Sequence, residues 1–426
     1  MRVLELFAGI GACSTALKRI GINIEIVDAV EIDKYAMASF NAIHETNFET
    51  QDITAYNKTF ENIDLITHGS PCQDFSVAGK QAGGDIGSGT RSSLMYETIR
   101  IVGQIRPKYV LWENVKNILS EKHKHNFDSY IETMNVLGYN SYYQVLNAKD
   151  YGIPQNRERV YTISIRKDID KGNFKFPEKE ELKLRLKDML EDKVDEKYYL
   201  DTAKIEKITN SSFMQEKKRI QEKEYRDWKD PKCVRVGGIF DTEKSTHQAG
   251  SIYDKEGLSP TLNVMQGGWR QPSIIINNCT KKGYDEAING DSVNLSYPNS
   301  KTRRGRVGHQ VSQTIQCNDM MGVVEKINKN AKHQQDLVQS QNDICRVIPA
   351  GTHGSTPHLL KTIVKEQPLR IRKLTPKECW RLMGFSDEDF EKAQNIPTSN
   401  TQLYKQAGNS IVVNVLEKIF KNLFEV

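Results

Sequence analysis

Residues 63–76 read Ile-Asp-Leu-Ile-Thr-His-Gly-Ser-Pro-Cys-Gln-Asp-Phe-Ser, and this stretch decides how the rest of the chain is interpreted. The apolar run at its start is typical of a buried strand in a parallel sheet. Pro71 ends the strand, fixes its own φ and keeps Ser70 extended. Cys72 is therefore predicted on a turn at the carboxyl end of a strand, where open α/β sheets bind ligands. Its thiol is a candidate nucleophile; the alternative is a small apolar side chain that only packs.

Length and composition bound the class of protein. The chain has 426 residues, of which 38% are hydrophobic, and a mean hydropathy of −0.60, which together predict a soluble protein of two or three domains. No apolar run reaches 18 residues, so no membrane-spanning helix is expected, and Glu5 argues against a signal peptide. The seven cysteines are scattered and never spaced as CxxC. This usage predicts a reducing compartment, with neither disulfides nor a metal site.

The charge is unevenly distributed along the chain. Residues 1–180 contain 21 Lys and Arg against 23 Asp and Glu, whereas the remainder contains 39 against 32. The acidic first part suits a small-molecule site, and the basic remainder suits a polyanion. A charged, solvated surface explains the same asymmetry.

A glycine turn follows the first predicted strand. Residues 3–7 predict a strand, and residues from about 12 to 20 predict a helix, with Gly9 and Gly11 between them. Glycines at such a turn let the backbone approach a ligand in front of a helix N-terminus. The third glycine of a dinucleotide fingerprint would fall at position 14, which is Ser14. A nicotinamide-dependent oxidoreductase is therefore disfavoured.

Two carboxylates follow the next predicted units of the chain. Glu31 ends a strand predicted at 24–30 and lies 20 residues after Gly11, where a ribose-binding carboxylate belongs in such folds. Asp52 is expected at the end of a third short strand, facing the same crevice. A glycine turn, Glu31 and Asp52 together predict an adenosine pocket, although each acid alone is also explained as a solvated loop residue.

Polar residues recur beside the later strands. The glycine-dense segment 81–90 predicts a loop that closes over the site, or else a plain connector, and 91–106 predicts a helix. Glu113 follows a strand predicted at 107–112, where it would be held protonated or would hydrogen-bond a protonated base. Gln155, Arg157 and Arg159 alternate before a strand at 160–165 and would point one way. For the arginines, surface salt bridges are the alternative.

With these segments in place, the chain resembles the DNA cytosine-5 methyltransferases of the bacterial and phage type. The order and spacing of the matching motifs agree at both ends of the chain, over roughly half its length. The matches are FAGIG (7–11), Glu31, Asp52, PCQxFS (71–76), ENV (113–115), QxRxR (155–159), RKLTPKECWRLMGF (372–385) and LYKQAGNSI (403–411).

The resemblance implies a reaction and roles for these residues. The Cys72 thiolate would add to carbon 6 of a cytosine flipped out of duplex DNA, and carbon 5 would take the methyl group of S-adenosyl-methionine, leaving S-adenosyl-homocysteine. Glu113 would hydrogen-bond ring nitrogen 3 and the exocyclic amine. Arg157 would hold the base or activate the thiolate, and Arg159 and Gln155 belong to the same catalytic motif.

The resemblance also implies binding residues. The cofactor would contact Phe7, Gly9, Gly11, Glu31, Asp52, Pro71, Asn409 and Ser410. Asn409 has an alternative role in packing the returning helix. DNA would contact Gln73, Ser76, Gly87, Thr261, Thr314, Arg303, Arg304 and Arg306. The arginines lie in the densest basic patch, 301–306, which suits phosphate contact. A Thr-apolar pair of this family touches DNA near the flipped base, and the sequence leaves Thr261 and Thr314 as equal candidates.

The fold expected is α/β, with a Rossmann-like S-adenosyl-methionine-dependent methyltransferase domain interrupted by an inserted, mostly β or irregular target-recognition domain. The catalytic domain is predicted at 1–187 and 401–426, with recognition at 188–400. Residues 411–424 predict a helix whose apolar stripe packs back on the first domain. A monomer suffices, because one flipped base needs one site, and no stable complex with a cognate restriction endonuclease is expected.

Two other functions use the same fold. A tRNA cytosine methyltransferase is disfavoured because a recognition segment of about 200 residues is large for that branch, and a catalytically inactive binding module is disfavoured by the intact Cys72, Glu113 and Arg157. The leading hypothesis is methylation of a specific short sequence in duplex DNA, as part of a restriction–modification system or by a phage or orphan enzyme. The expected location is the cytoplasm of a prokaryotic cell or of a phage host.

Overall fold

The computed structural model describes residues 1–71, 91–199, 232–238, 251–255, 257–262, 273–276, 292–294, 307–308, 321–323 and 370–426. These residues belong to two compact units. The first comprises Met1–Tyr198, Ile208–Ile274 and Lys373–Val426, and the second comprises Tyr199–Lys207 and Ile275–Arg372. The first unit therefore resumes at Lys373, well before position 401, where we expected the catalytic domain to resume.

The first unit contains the strands of the sheet that carries the site, together with several shorter strands. They are β1 (Arg2–Leu6), β2 (Glu25–Val30), β3 (Leu65–His68), β4 (Tyr109–Val115), β5 (Tyr139–Asn147), β6 (Gln155–Asn156), β7 (Glu158–Arg166), β8 (Arg235–Gly238), β9 (Ser251–Tyr253), β10 (Ser259–Pro260) and β11 (Ser273–Ile276). The helices are α1 (Ala12–Arg19), α2 (Lys34–His44), α3 (Met95–Ile105), α4 (Lys124–Val136), α5 (Pro376–Arg381), α6 (Asp387–Gln394), α7 (Asn400–Asn409) and α8 (Val413–Phe424).

Six strands form one sheet in the order β2-β1-β3-β4-β7-β5. The first four are parallel, and β7 is antiparallel to both β4 and β5. Parallel strands joined by helices give the α/β, Rossmann-like class predicted from the sequence. The carboxyl ends of β1, β2 and β3 meet at one edge, and β4 extends past that edge to Val115. This edge holds the predicted site residues.

The core explains why these segments become strands and helices. β1 and β3 are buried over nearly their whole length, as expected for parallel strands covered on both faces. Trp112 of β4 is fully buried and packs with Phe127 and Tyr130 of α4. α3 buries one apolar stripe, including Ile99 and Val102, in the same cluster.

The C-terminal segment returns to the first unit as predicted, although with more helices. α5 begins with a capping box in which Thr375 and Glu378 bond each other's backbone N–H groups. α8 buries a stripe of apolar residues and packs against α1. Phe424 also meets Tyr109 of β4 edge-on, with ring centroids 5.4 Å apart. The predicted return of this helix to the first domain is thus confirmed.

The remaining strands are short. In the first unit, β10 is parallel to β6, β8 is antiparallel to β9, and β11 is parallel to β9. In the second unit, Ser292–Asn294 (β12) is antiparallel to both Val307–Gly308 (β13) and Met321–Val323 (β14), and Arg370–Lys373 (β15) precedes α5. Between 200 and 370, every regular element among the described residues is a strand, which agrees with the mostly β insert that we expected.

Candidate active site and cofactor crevice

The glycine turn after β1 has a left-handed backbone at three residues. Phe7, Gly9 and Gly11 have φ values of 51°, 57° and 81°. A Cβ atom on Gly11 would lie 2.0 Å from Nε2 of His44, so this glycine is required by packing beneath the turn. A Cβ atom on Gly9 would have no atom within 4 Å. The space beside Gly9 is therefore open, so a ligand can approach the backbone closely there.

Glu31 joins this turn to the start of α2. Its Oε2 accepts the Gly9 N–H at 3.0 Å, and its Oε1 accepts the Asp33 N–H at 2.8 Å. Burial raises the pKa of Glu31, and these backbone N–H groups act in the opposite direction. A carboxylate has about four acceptor sites, so two remain for other donors. Two neighbouring hydroxyl groups of a ribose match that remaining capacity.

Ile32 is a crevice residue that the sequence reasoning did not identify. Its side chain is 70% exposed although its neighbours Glu31 and Asp33 are both held by hydrogen bonds. Asp33 caps α2 and pairs with Lys405 of α7, and these contacts hold the loop in place. A flat apolar ring would cover Ile32. The available signal was an aliphatic residue between two acids at a strand end, but aliphatic residues are common at such positions.

Asp52 does not lie where it was predicted. We expected it at the end of a third strand, but in the described part of the chain no strand lies between β2 and β3. Asp52 instead begins a 3-10 turn, Ile53–Ala55, and its Oδ1 accepts the N–H and the hydroxyl of Thr54, both at 2.9 Å. An acidic residue that begins a turn gives the same sequence pattern as an acidic residue that ends a strand. Asp52 is exposed, and its cofactor role stays a prediction.

The chain leaves β3 through Gly69, Ser70 and Pro71. Ser70 is buried and its Oγ accepts the indole N–H of Trp112 at 3.0 Å. Pro71 is half-buried. Cys72, Gln73, Ser76 and Gly87 lie outside the described residues, as does the glycine-dense segment 81–90. The predicted position of the turn, at the carboxyl end of a parallel strand, agrees with the structure as far as Pro71.

Glu113 is 9% exposed and lies inside β4, not after it as we expected. The strand is longer than predicted because β7 pairs with it up to Val115. Nε of Arg159 lies 3.1 Å from Oε1 of Glu113. Among the described residues, however, this Oε1 has no hydrogen-bond partner. A buried carboxylate oxygen beside a cation, with accepting capacity left over, suits a hydrogen-bonding ligand.

Glu113 lies close to Gly69, two residues before Pro71. A Cβ atom built on Gly69 would lie 3.8 Å from Oε2 of Glu113 and 3.6 Å from Cδ1 of Ile411. Cys72 follows Gly69 by three residues. The structure therefore brings the segment that leads to the candidate nucleophile beside the candidate carboxylate, as the strand-end argument required.

The alternation predicted for residues 155–159 is present. Gln155 and Arg157 are buried and Arg159 is half-buried, whereas Asn156 and Glu158 are exposed. Their surroundings differ. Nε2 of Gln155 donates to the Leu382 carbonyl at 2.9 Å, in the segment after α5. Surface salt bridges do not explain these buried side chains.

Arg157 connects three separate segments of the first unit. Its Nη1 donates to the Leu262 carbonyl at 2.8 Å, and its Nη2 donates to the carbonyls of Ser410 at 2.9 Å and Gly408 at 3.3 Å. Arginine has five donors in a fixed fork, which suits such a junction. We expected Arg157 to hold the base or activate the thiolate. These three hydrogen bonds are with backbone carbonyl groups, and its role toward the base or the thiolate stays a prediction. Arg159 is the arginine beside Glu113.

Thr261 lies at the same junction. Its Oγ1 donates to the Asn156 carbonyl at 2.6 Å, and the N–H of the next residue, Leu262, donates to Oε1 of Gln155 at 3.4 Å. Thr314 lies outside the described residues, as do Arg303, Arg304 and Arg306. Only Thr261 can thus be located, and it is beside the QxRxR segment.

Asn409 and Ser410 end α7. Asn409 is exposed, whereas Ser410 is buried and caps the helix with its backbone. The exposure of Asn409 does not favour its alternative role in packing the returning helix. Among the described residues, no three His, Cys, Asp or Glu side chains form a group that could hold a metal ion.

These motifs agree with one protein family along the whole chain. The sequence pattern described as C-5 cytosine-specific DNA methylase matches residues 1–425. The chain belongs to this family. It is a DNA (cytosine-5)-methyltransferase, which implies methyl transfer from S-adenosyl-methionine to double-stranded DNA. In the described parts of this methyltransferase, no helix is both long and apolar enough to cross a membrane.

Curated relatives support the assignment. The methyltransferase is 33% identical over 481 residues to the orphan methyltransferase M.SPRI of Bacillus phage SPR, over 99% of this chain and 97% of that protein. It is 30% identical over 427 residues to the type II methyltransferase M.HhaI of Haemophilus parahaemolyticus, over 99% of this chain and 94% of that protein.

Solved structures support the fold. The Entamoeba histolytica methyltransferase EhMeth superposes with a TM-score of 0.56 at 15% identity, over 100% of this chain and 98% of that chain. The Dnmt2 methyltransferase of S. pombe superposes with a TM-score of 0.54 at 17% identity, over 100% of this chain and 98% of that chain. At these identities the likeness concerns the fold alone.

Proposed function

We propose that this methyltransferase modifies carbon 5 of cytosine in a specific short sequence of duplex DNA, through covalent addition of Cys72 to a flipped-out base. The observation that carries the proposal is the Glu113 carboxylate. It is buried, its Oε1 lacks a hydrogen-bond partner among the described residues, and it lies beside both Arg159 and the segment leading to Cys72. A stacked base cannot reach such a site, so the cytosine has to leave the duplex.

The residues have consecutive roles in the reaction. The Cys72 thiolate forms a bond to carbon 6, and the electron pair of the ring double bond moves toward ring nitrogen 3, which takes a proton from Glu113 in its carboxylic acid form. Arg159 stabilises the carboxylate that remains. S-adenosyl-methionine, when bound, supplies the methyl group to carbon 5 and leaves as S-adenosyl-homocysteine. A base then removes the carbon-5 proton, the ring double bond re-forms, the thiolate departs and nitrogen 3 returns its proton to Glu113.

The crevice fits the cofactor at three points. The open side of Gly9 admits a ligand against the backbone, and Glu31 retains two acceptor sites for the ribose hydroxyls. Ile32 supplies an exposed apolar surface for the adenine ring. Phe7, Gly11, Pro71, Asn409 and Ser410 border the same crevice in the proposal, and Asp52 would accept the adenine amine from the following loop.

The DNA contacts are proposed from the family resemblance and from one located residue. Thr261 is preferred over Thr314 because its hydroxyl bonds the Asn156 carbonyl, within the QxRxR segment that leads to Arg159. Gln73, Ser76 and Gly87 would meet the DNA around the flipped base. Arg303, Arg304 and Arg306 would contact phosphates or base edges of the target sequence.

The biological setting is proposed from the relatives. The Bacillus phage protein is named an orphan methyltransferase, whereas the Haemophilus protein is named a type II methyltransferase. We therefore propose orphan or phage methylation, or the modification arm of a restriction–modification system. The enzyme would act as a monomer, without a stable complex with a cognate endonuclease, in the cytoplasm of a prokaryotic cell or of a phage host.

Transfer of labelled methyl groups from S-adenosyl-methionine tests the proposal. The substrates are unmethylated genomic DNA and, in parallel, tRNA. We expect label in DNA only, at the cytosines of one short motif located by bisulfite sequencing. Cys72→Ser should abolish transfer, and Cys233→Ser, which alters a half-buried thiol elsewhere in the first unit, should not. Label in tRNA alone, or equal transfer by Cys72→Ser, would contradict the proposal.

A further inference from the structure

One buried hydrogen bond links the two segments from which the proposed catalytic groups project. Nε1 of Trp112 donates to Oγ of Ser70 at 3.0 Å, and both side chains are buried, with exposures of 0% and 3%. Trp112 immediately precedes Glu113 in β4. Ser70 precedes Pro71 and Cys72 after β3. The bond thus joins β4 to the segment that follows β3, at the edge of the sheet that holds the predicted site residues.

The indole that donates this bond is itself held in place. Trp112 stacks on His68 with ring centroids 5.7 Å apart and on Phe127 with centroids 5.8 Å apart, and it contacts Tyr130 at 4.0 Å. Nε2 of His68 lies 3.0 Å from the Tyr130 hydroxyl. Because aromatic neighbours contact the indole in three places, its N–H has one position, and it presents a fixed donor to Ser70.

The acceptor is restricted from the other side. Pro71 confines the backbone of Ser70 to extended conformations, and the hydrogen bond fixes its side chain. The restriction by Pro71 is not sufficient alone, since an extended Ser70 can still rotate about the bonds of Gly69. The hydrogen bond to Trp112 removes this freedom. Together they define the position and direction in which the chain reaches Pro71.

We propose that Ser70 and Trp112 are positioning residues for methyl transfer. Their hydrogen bond would set the Pro71-Cys72 turn relative to Glu113, so that the thiolate and the carboxylate meet the same cytosine ring. The inference rests on the proposed function, in which Cys72 is the nucleophile. Small displacements of reacting groups lower rates steeply, so loss of one buried bond near the turn would be visible in the addition step.

Capture of DNA that contains 5-fluorocytosine, in the presence of S-adenosyl-methionine, reports thiolate addition and methyl transfer without product release. After methyl transfer, carbon 5 carries fluorine in place of the proton that has to be removed, so the bond between Cys72 and carbon 6 persists and its formation can be timed on gels. Ser70→Ala removes the acceptor, and Trp112→Phe removes the donor while keeping a ring. We expect each variant to capture DNA about 10- to 100-fold more slowly than the unaltered enzyme, with cofactor affinity within about twofold.

Two further variants separate positioning from general damage. Ser70→Thr keeps the hydroxyl and should recover most of the capture rate. Tyr130→Phe removes the neighbouring bond to His68 without touching the turn, and should capture DNA at the unaltered rate. The Ser70→Ala, Trp112→Phe double variant should be no slower than the slower single variant, because both substitutions remove the same bond.

The outcomes are distinguishable. Unchanged capture by Ser70→Ala would overturn the positioning role, as would a double variant whose effects multiply. Equal slowing by Tyr130→Phe would also overturn it, because a general loosening of the aromatic cluster would then explain the result. Absence of capture by the unaltered enzyme in the presence of S-adenosyl-methionine, when a separate measurement shows that it binds S-adenosyl-homocysteine, would overturn the assignment of Cys72 and this proposal with it.

Discussion

The guanidinium group of Arg159 lies against the carboxylate of Glu113, with Nε 3.1 Å from Oε1. The two residues come from the antiparallel neighbours β7 and β4. Both side chains are largely shielded, with exposures of 16% and 11%, so solvent weakens their interaction less than it weakens a surface pair. Arg159 carries a permanent positive charge. It therefore stabilises the carboxylate that Glu113 becomes when it donates a proton.

Glu113→Gln should therefore lower the rate of methyl transfer by about 10²- to 10⁴-fold, because an amide cannot deliver a proton to ring nitrogen 3 of the cytosine. Single-turnover transfer at saturating cofactor and DNA measures the effect. Glu158→Gln is the matched control, since that carboxylate is exposed and pairs only with Lys116 at 3.0 Å among the described contacts. A full rate for Glu113→Gln would contradict the assigned proton transfer.

Substitutions of the two arginines of the QxRxR segment should have different effects on stability and on the rate of methyl transfer. Arg157→Lys leaves at least one of three buried carbonyl groups without a donor, and should lower the free energy of unfolding by about 3 kcal/mol. Arg159→Lys should change it by less than about 1 kcal/mol while slowing transfer at least about tenfold. Urea unfolding and single-turnover kinetics on both variants provide the comparison. Similar losses of stability would remove the distinction between positioning and catalysis.

The glycines of the first turn should separate packing from ligand binding. Gly11→Ala places a Cβ atom 2.0 Å from Nε2 of His44 and should destabilise the protein by about 2–4 kcal/mol. Gly9→Ala meets no atom and should cost only about 1 kcal/mol of backbone strain, but it should weaken S-adenosyl-homocysteine binding at least about tenfold.

Gly21→Ala supplies the matched control for that pair. Gly21 has a φ of 81°, the same as Gly11. A Cβ atom on Gly21, like one on Gly9, would have no atom within 4 Å. It follows α1, at the end opposite the glycine turn. Gly21→Ala should thus show the strain of Gly9→Ala without its loss of affinity in calorimetry. Equal affinities for all three variants would argue against a cofactor beside Gly9.

Glu5 should make stability depend on pH. Burial raises the pKa of Glu5 from 4.5 to about 7, and hydrogen bonds from Ser14 oppose the rise only in part. The folded protein then holds a proton that the unfolded chain releases between pH 4.5 and 7. The stabilising contribution of Glu5 is complete below pH 4.5 and is lost as pH rises through 7, on the order of 3 kcal/mol in total.

The comparison with Glu5→Gln isolates this contribution. Burial lowers the pKa of His44 to about 4 and that of His68 to about 3, which gives an opposite slope, but both histidines are present in each protein. The unfolding free energy of the unaltered protein, minus that of Glu5→Gln, should therefore fall from pH 4.5 to 8. Glu25→Gln, an exposed substitution on β2, should show no such trend. A flat difference for Glu5→Gln would contradict the buried protonated state.

The sequence predicted the elements of this fold better than their ends. The apolar runs and glycine turns locate β1, α1, β2 and α8 within about two residues, because hydrophobic period and turn chemistry are local. The predicted strands at 107–112 and 160–165 stopped short, because their added length comes from pairing with each other over Tyr109–Val115. That pairing is a long-range property, and for this reason Glu113 was placed after the strand.

The site was predictable as a set of motifs and less so as a set of contacts. Alternation identified Gln155, Arg157 and Arg159 as one group, but it could not show that Arg157 faces the carbonyls of Leu262 and Ser410, which are more than 100 residues away. Asp52 was misplaced because an acid that starts a turn resembles one that ends a strand. Trp112 and Ser70 were not identified, since an indole N–H has no sequence pattern for its partner.

Arg157 also constrains when this protein can fold during its synthesis. Arg157 emerges from the ribosome early. Two residues whose carbonyl groups accept its hydrogen bonds, Gly408 and Ser410, are translated some 250 residues later. At about 5–20 residues per second this delay lasts on the order of tens of seconds. During that interval the nascent chain carries a cation destined for burial with no partner, and α1 without α8 against it. The packing of the first unit is thus expected to be completed only after the C-terminal segment has been synthesised, and methyl transfer with it.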